Sequence, residues 1–491
     1  MSSIRLRFCS FLAVIVACTA ANSHAQEPLG ATPAVEAYLQ KQMKLRHIPG
    51  MQVAVVRQGK LLFLHSFGTA YLQDSIPVTD STLFPIFSIT KAFTGIAAVQ
   101  MMEAGKLNPA DPVSKYLDGL PQAWRNITVR QLLTETSGIP NILDNNTGQL
   151  IAEDEESAWK KLQGMPLLFA PGERFDYSQA NYLLVGKILD KVSGKSFMQL
   201  VREGQLGPTE MSRTLYGDDG AVIAHSARSY AWKPEDGQDV TGPGHYVMPY
   251  TVYPLPQSLM TSAGLNSTAG ELARWVIALQ QGKFFKKPGS LGLLWTAGRL
   301  NDGSTGGFSP LLNGYALGSP VGVRPSHRIV APIGGGRCAI FIYPDDDLAI
   351  ILLTNLAGSN PESFMDEVAS FYLPDMHSDT GFGFPEASKA LHAEVMRGGG
   401  YVHLMGILEE ARRQKHPILL GEQDWTELGI HLFSIGEYDD AVVVLQANTQ
   451  QHPQDEHAWS ILASVYELTG QTDLAGKAHI EASKWKKETE H

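Results

Sequence analysis

The sequence predicts a mixed α+β domain followed by an all-α tail, and three observations carry that prediction. Apolar runs that read as strands (residues 51–56 and 61–67, then 338–343 and 348–354) lie at the two ends of segment 26–373, with helical patterns between them. One sheet joining both ends of the segment, with helices packed on it, satisfies that order. A Pro/Gly/Asp-rich stretch, 372–385, comes next, placing a linker at 374–386. Beyond it Trp425 and Trp459, Leu428 and Leu462, Gly436 and Gly470, and Ala441 and Ala475 are all 34 residues apart. That spacing marks a stack of helical pairs over 387–491, with repeats at about 422–455 and 456–489.

In chain order, 34–48 reads as an amphipathic helix ending before Ile48-Pro49-Gly50. The runs 51–56 and 61–67 flank Arg57-Gln58-Gly59-Lys60, a hairpin signal. Phe93, Ile96, Ala97 and Met101 recur at helical spacing after Ser88, so Ser88 is expected to open a helix that ends near Gly105. Residues 127–138 start as a capped helix and stop at Gly138. The turn-rich segment 169–182 puts Tyr177 on a loop before a helix through Leu183, Val185, Ile188 and Leu189. Residues 207–263, rich in Pro, Gly and Tyr, read as long covering loops, and 268–281 as a helix. Residues 315–323 and 328–330 read as strand, and Pro344-Asp345-Asp346-Asp347 turns the last hairpin.

Composition excludes several classes. With 491 residues and 44% hydrophobic content, the chain can bury a large core, and 18% charge excludes wholesale disorder. A net charge of −11 without any basic stripe argues against nucleic acid as a partner. Residues 1–25 read as a secretory signal: Arg5 and Arg7, an apolar run too short to span a bilayer, and a Ser23-His24-Ala25 cleavage site. Ile15-Val16-Ala17-Cys18 offers an alternative, lipid attachment at Cys18, so the expected location is secreted or periplasmic. No later stretch is long and apolar enough to be a transmembrane segment. Of the three cysteines only Cys338 lies beyond that leader, which forbids an internal disulfide, and the apolar run after it suggests a buried thiol. No Cys/His spacing suggests a metal, and no cofactor is expected.

The candidate chemistry centres on Ser88-Ile89-Thr90-Lys91. One helical turn would bring Lys91 to Ser88, and a low-dielectric cleft disfavours the ammonium, leaving an amine able to take the hydroxyl proton. The tetrapeptide alone is weak, since Ser157-Ala158-Trp159-Lys160 and Ser483-Lys484-Trp485-Lys486 repeat it without any supporting context.

Context comes from five segments in order: Ile48-Pro49-Gly50, Thr82-Leu83-Phe84 with Ser88 and Lys91, Leu132-Leu133-Thr134-Glu135-Thr136-Ser137-Gly138, Tyr177-Ser178-Gln179, and Pro344 with Leu352-Leu353-Thr354-Asn355. Together they make residues 34–373 resemble the serine β-lactamase-related family, which holds class C β-lactamases, penicillin-binding D-peptidases and related esterases. The resemblance implies an antiparallel sheet flanked by helices with a helical subdomain. It implies Ser88 as nucleophile, Lys91 as its base or electrostatic support, and Tyr177 as proton shuttle to the leaving group. It further expects Tyr177 to have a lowered pKa beside the Lys91 ammonium. Gln179 stands where many members have Asn and would contact a substrate amide or ester. Gly335 would complete an oxyanion hole with the Ser88 amide. The departure is at the third motif, where the family carries Lys or His, then Ser or Thr, then Gly. Pro332-Ile333-Gly334 stands there, with Arg337, His327 and Arg328 as candidate replacement charges.

These readings imply a secreted serine hydrolase forming an acyl-enzyme on ester or peptide-like amide substrates. The alternatives are a catalytically weak or inactive module binding cell-wall peptide or protein, and a β-lactamase. The tail resembles tetratricopeptide repeats, which suggests a protein partner or a structural cap.

Overall fold

The computed structural model describes residues 31–144, 148–217, 222–231, 233–234, 246–247, 256, 259–414 and 420–485. Residues 1–25, read above as a leader, Cys18 with them, and most of residues 232–258 within the segment 207–263 lie outside the described residues. Among the described residues no helix is long and apolar enough to cross a membrane.

A nine-stranded antiparallel sheet organises the first domain among those residues. Helix α1 (Ala31–Leu45) leads into the hairpin β1 (Gly50–Arg57) and β2 (Lys60–Tyr71). β1 pairs on its other side with β5 (Leu348–Thr354), Met51 facing Thr354, so the two ends of the domain meet at the sheet centre as the sequence implies. β5 pairs in turn with β4 (Cys338–Tyr343). Continuous apolar runs form these strands because both faces are covered. Val56, Ile340, Ile351 and Leu353 point into one core with Phe93 and Trp275. Val53, Val55, Phe341, Ile350 and Leu352 point into a second core with Val35 and Leu39 of α1 and with Met365 and Val368. Alternation along each strand thus feeds two cores, each fully buried aliphatic side chain contributing about 1.5–3 kcal/mol. Cys338 is wholly buried in β4, as its apolar surroundings suggested.

Helix α2 (Thr90–Glu103) runs through the first core and is buried along most of its length. Three expectations need correction here. The helix opens at Thr90, and Ser88 sits on the preceding tight turn Phe87–Ile89. The capped helix α3 (Val129–Leu133) does begin with a Thr128–Gln131 capping box, but it ends at Leu133. Glu135 takes φ +57°, which no helix permits, and the chain turns away there. The run 315–323 is a short hairpin, Gly314–Tyr315 against Pro320–Gly322, because Gly318 at φ +96° reverses the chain. Helix α4 (Gln179–Ser193) closes on a left-handed Gly194, and α5 (Ala269–Gln280) begins with Thr268 accepting from the Glu271 amide.

Part of the Pro/Gly/Asp-rich stretch read as a linker is packed. Tyr372, Leu373 and Met376 belong to the second core, because apolar residues alternate there with the turn formers. Beyond it, α6 (Lys389–Arg397) and α7 (Leu404–Arg413) precede four helices, α8 (Glu422–Ile435), α9 (Tyr438–Gln451), α10 (Glu456–Leu468) and α11 (Thr472–Trp485). The starts of α8 and α10, and of α9 and α11, are 34 residues apart, so the sequence period is the structural one. The α8–α9 turn docks on α1: Arg46 donates to the carbonyl of Ser434 at 3.1 Å, and Lys41 pairs with Glu437 at 3.8 Å.

Candidate active site

The site forms where the turn before α2, the loop before α4, and the short strand β3 (Ile333–Gly334) converge. β3 pairs with β4, Gly334 facing Cys338. A side chain at Gly334 would put its Cβ 2.2 Å from the Ile86 carbonyl oxygen, so only glycine lets β3 lie this close to the Ser88 turn. Immediately before Ser88, Phe87 holds φ +45°, a left-handed conformation costing a bulky residue roughly 1–3 kcal/mol. The Arg337 guanidinium lies 4.6 Å over the Phe87 ring, helping to hold it there.

Ser88 Oγ is flanked on two sides. The Tyr177 hydroxyl donates to it at 2.7 Å, and Lys91 Nζ lies 3.3 Å away. Lys91 is fully buried. Its Nζ also reaches Gln179 Oε1 at 2.7 Å and the Ser262 carbonyl at 3.4 Å, and it sits 4.5 Å over the Tyr177 ring. Burial pushes Lys91 down to about 7, against the opposing charge of Glu135. Desolvation thus favours the free amine, the direction the sequence argument gave.

Tyr177 departs from expectation. Its pKa is raised, first by burial and then by Glu135, so the phenol keeps its proton and donates to Ser88. The sequence reading counted only a lysine charge and missed both the burial and the carboxyl behind it. The Gln179 side-chain oxygen accepts from Lys91 Nζ at 2.7 Å, and its backbone N–H donates to Asn141 Oδ1 at 3.1 Å. Gly335, at φ +58°, packs against the Phe87 ring.

The three replacement charges are all engaged. His327 lies between Asp346 and Asp375, each at 2.9 Å, and Arg328 pairs with Asp345 at 2.8 Å on the far hairpin turn. Arg337 is buried over Phe87. At the third-motif positions, Ile333 packs against the second core, and neither it nor Pro332 carries a charge.

Two features escaped the sequence. Phe308 is 42% exposed and lies 5.1 Å from the Tyr177 ring and 5.2 Å from the Phe175 ring, which makes an aromatic wall beside the serine. The second is Glu135, fully buried, with burial raising it to about 8. It was visible only as one letter of Leu132-Leu133-Thr134-Glu135-Thr136-Ser137-Gly138. Among the described residues no cluster of three or more His, Cys, Asp or Glu side chains could hold a metal.

Comparisons with known proteins bear on the family and the fold. The Beta-lactamase family matches residues 35–371. The Beta-lactamase of Yersinia enterocolitica is 30% identical over 337 residues, spanning 64% of this chain and 84% of that protein. Protein flp of Staphylococcus aureus (strain MW2) is 29% identical over 201 residues, and the match spans only 40% of either chain. The octameric penicillin-binding protein homologue from Pyrococcus abyssi superposes with a TM-score of 0.58 at 22% identity, covering 73% of this chain and 80% of that one, a likeness of fold. On the sequence match and the shared architecture, residues 35–371 make this chain a member of the Beta-lactamase family.

Proposed function

We propose that this protein is a secreted serine hydrolase that forms an acyl-enzyme on Ser88 with ester or peptide-like amide substrates. The observation that carries the reading is Ser88 Oγ held between the Tyr177 hydroxyl at 2.7 Å and Lys91 Nζ at 3.3 Å. In the proposed reaction Ser88 attacks the substrate carbonyl as its proton passes to the Lys91 amine. The Ser88 and Gly335 amides receive the developing oxyanion. Tyr177, protonated in the resting site, gives its proton to the leaving alkoxide or amine, and the Lys91 ammonium restores it. Water then repeats the attack on the acyl group and frees Ser88.

The aromatic wall of Phe175, Tyr177 and Phe308 favours an apolar acyl or alcohol group. Pro332 and Ile333 offer a substrate carboxylate no charge, which disfavours penicillin turnover despite the likeness to the Yersinia enterocolitica protein. The intact serine, lysine and tyrosine constellation weighs against the inactive binding-module reading. The 34-residue period of α8 to α11 supports a tetratricopeptide-like tail, and its docking on α1 supports a structural cap.

Steady-state turnover of activated short-chain esters by wild type and Ser88→Ala tests the reading. Saturable turnover in wild type, lost in the variant, supports it. Equal rates in both would dismiss Ser88 as nucleophile.

A further inference from the structure

Glu135 is a buried carboxyl that the reaction above does not use. Its main-chain carbonyl accepts from the Asp176 amide at 2.9 Å. Its Oε2 accepts from the Ser178 amide at 3.0 Å and from Asn181 Nδ2 at 2.6 Å. The two ends of one residue therefore grip the chain immediately before and immediately after Tyr177. Its Oε1 is buried and makes no hydrogen bond with the described residues. A carboxyl buried this deeply with one oxygen unmatched is costly for folding alone, by roughly 1–3 kcal/mol, so a purely structural role would favour a neutral residue.

We infer that Glu135 is a positioning residue for this site: it clamps the loop that presents Tyr177 to Ser88, and its charge lets the buried Lys91 accept the serine proton. The inference rests on the acyl-enzyme reading above. Without a counter-charge, an ammonium at Lys91 would be stranded in the core when Ser88 gives up its proton. Ionised, Glu135 supplies that charge and draws the buried lysine back up, and because burial raises Glu135 to about 8, this ionised state gains weight as pH rises through 7 to 8. With Glu135 ionised and Lys91 neutral, the proton taken from Ser88 turns the pair from one net negative charge into a neutral ion pair, while the negative charge passes to the oxyanion of the attacked carbonyl. The other groups acting on this pair come from three elements. Arg174, Asp176 and Tyr177 lie on the loop before α4, Tyr182 on α4, and Tyr315 on the hairpin. Among them only Asp176 adds a further negative charge to Glu135, and Arg174 offsets it.

Glu135→Gln separates the two roles. Its amide oxygen can still accept from Ser178 and Asn181, but the charge is gone. The pH profile of kcat/KM, read on an activated ester, should move its acid inflection down by about one unit relative to wild type, with kcat lower by about tenfold or more. An inflection and kcat equal to wild type would overturn the inference. If Glu135→Gln does not fold, Glu135→Asp decides. With its charge kept one methylene back, an unmoved inflection with kcat at least tenfold lower supports the inference, and unchanged kcat overturns it. Fluorophosphonate labelling of each protein separates this failure from that of the parent reading. A wild type that labels, beside an unchanged Glu135→Gln profile, removes only the role of Glu135. A wild type that does not label removes the acyl-enzyme and this inference together.

Discussion

Lys91 Nζ stands 2.7 Å from Gln179 Oε1 and 3.3 Å from Ser88 Oγ, so the glutamine holds the lysine more closely than the serine does. The extra methylene of Gln over the Asn common at this position gives the amide that reach. Gln179→Ala removes the acceptor and lets the amine drift within the cleft. Loss of a hydrogen bond to a charged group predicts kcat lower by roughly tenfold to a hundredfold, with KM changed much less. Steady-state kinetics on an activated ester would show this, and a rise in KM alone would return Gln179 to substrate contact.

The pH dependence follows from the same lysine. The base must be the free amine, and burial lowers Lys91 to about 7. Activity should therefore be lost below neutrality and, with burial raising Glu135 to about 8, reach its plateau only above that value. Tyr177 is raised above its ordinary value and acts as a protonated donor, so no alkaline limb is expected from it below pH about 10. A kcat/KM profile over pH 5–10 checks both limbs. Activity that appears only above pH about 9 would mean an unperturbed lysine.

Lys91→Met tests whether the amine serves chemistry or packing. A buried amine is costly to desolvate, so an apolar side chain of similar shape should leave the thermal midpoint equal or higher. Ester turnover should fall by about 10²–10⁴-fold. Thermal denaturation and turnover measured on one preparation give both answers.

The main-domain architecture was legible because continuous apolar runs and the Pro344 turn leave few alternatives to a sheet closed by β1 and β5. Ser88, Lys91 and Tyr177 were legible as motif positions. Glu135 was not, because its importance arises from a left-handed backbone that turns a would-be helix toward the Tyr177 loop. The direction of the Tyr177 shift was misjudged for the same reason: a motif shows which charges are nearby in sequence, not how deeply a phenol is buried. The stretch 372–385 read as a linker because Pro and Gly mark turns; within it Tyr372, Leu373 and Met376 lie in the second core.

The tail offers a stability test. Arg46, just past the end of α1, donates to the carbonyls of Ser434 and Ser359, at 3.1 and 3.3 Å. Removing residues 387–491 would uncover that face of α1 and leave Leu45 without its tail neighbours. The truncated chain should unfold at lower temperature, and Arg46→Ala in the full chain should cost about 1–3 kcal/mol. A truncated chain with wild-type thermal midpoint and turnover would make the tail an independent docking module.

The third motif predicts selectivity. Penicillins carry a carboxylate that Pro332 and Ile333 cannot pair, so their hydrolysis should be at least about a hundredfold slower than that of an activated ester. Pro332→Lys with Ile333→Thr restores the family pattern before Gly334 and should raise penicillin acylation. Competition between penicillin and ester in one assay reads the ratio directly.

The central claim is that a covalent acyl group forms on Ser88. Intact-mass spectrometry after fluorophosphonate treatment, with peptide mapping of the adduct, addresses it most directly. The account predicts one adduct per chain, located on Ser88, absent in Ser88→Ala and strongly slowed in Lys91→Ala. Labelling that persists in Ser88→Ala, or an adduct mapped to another residue, would contradict it.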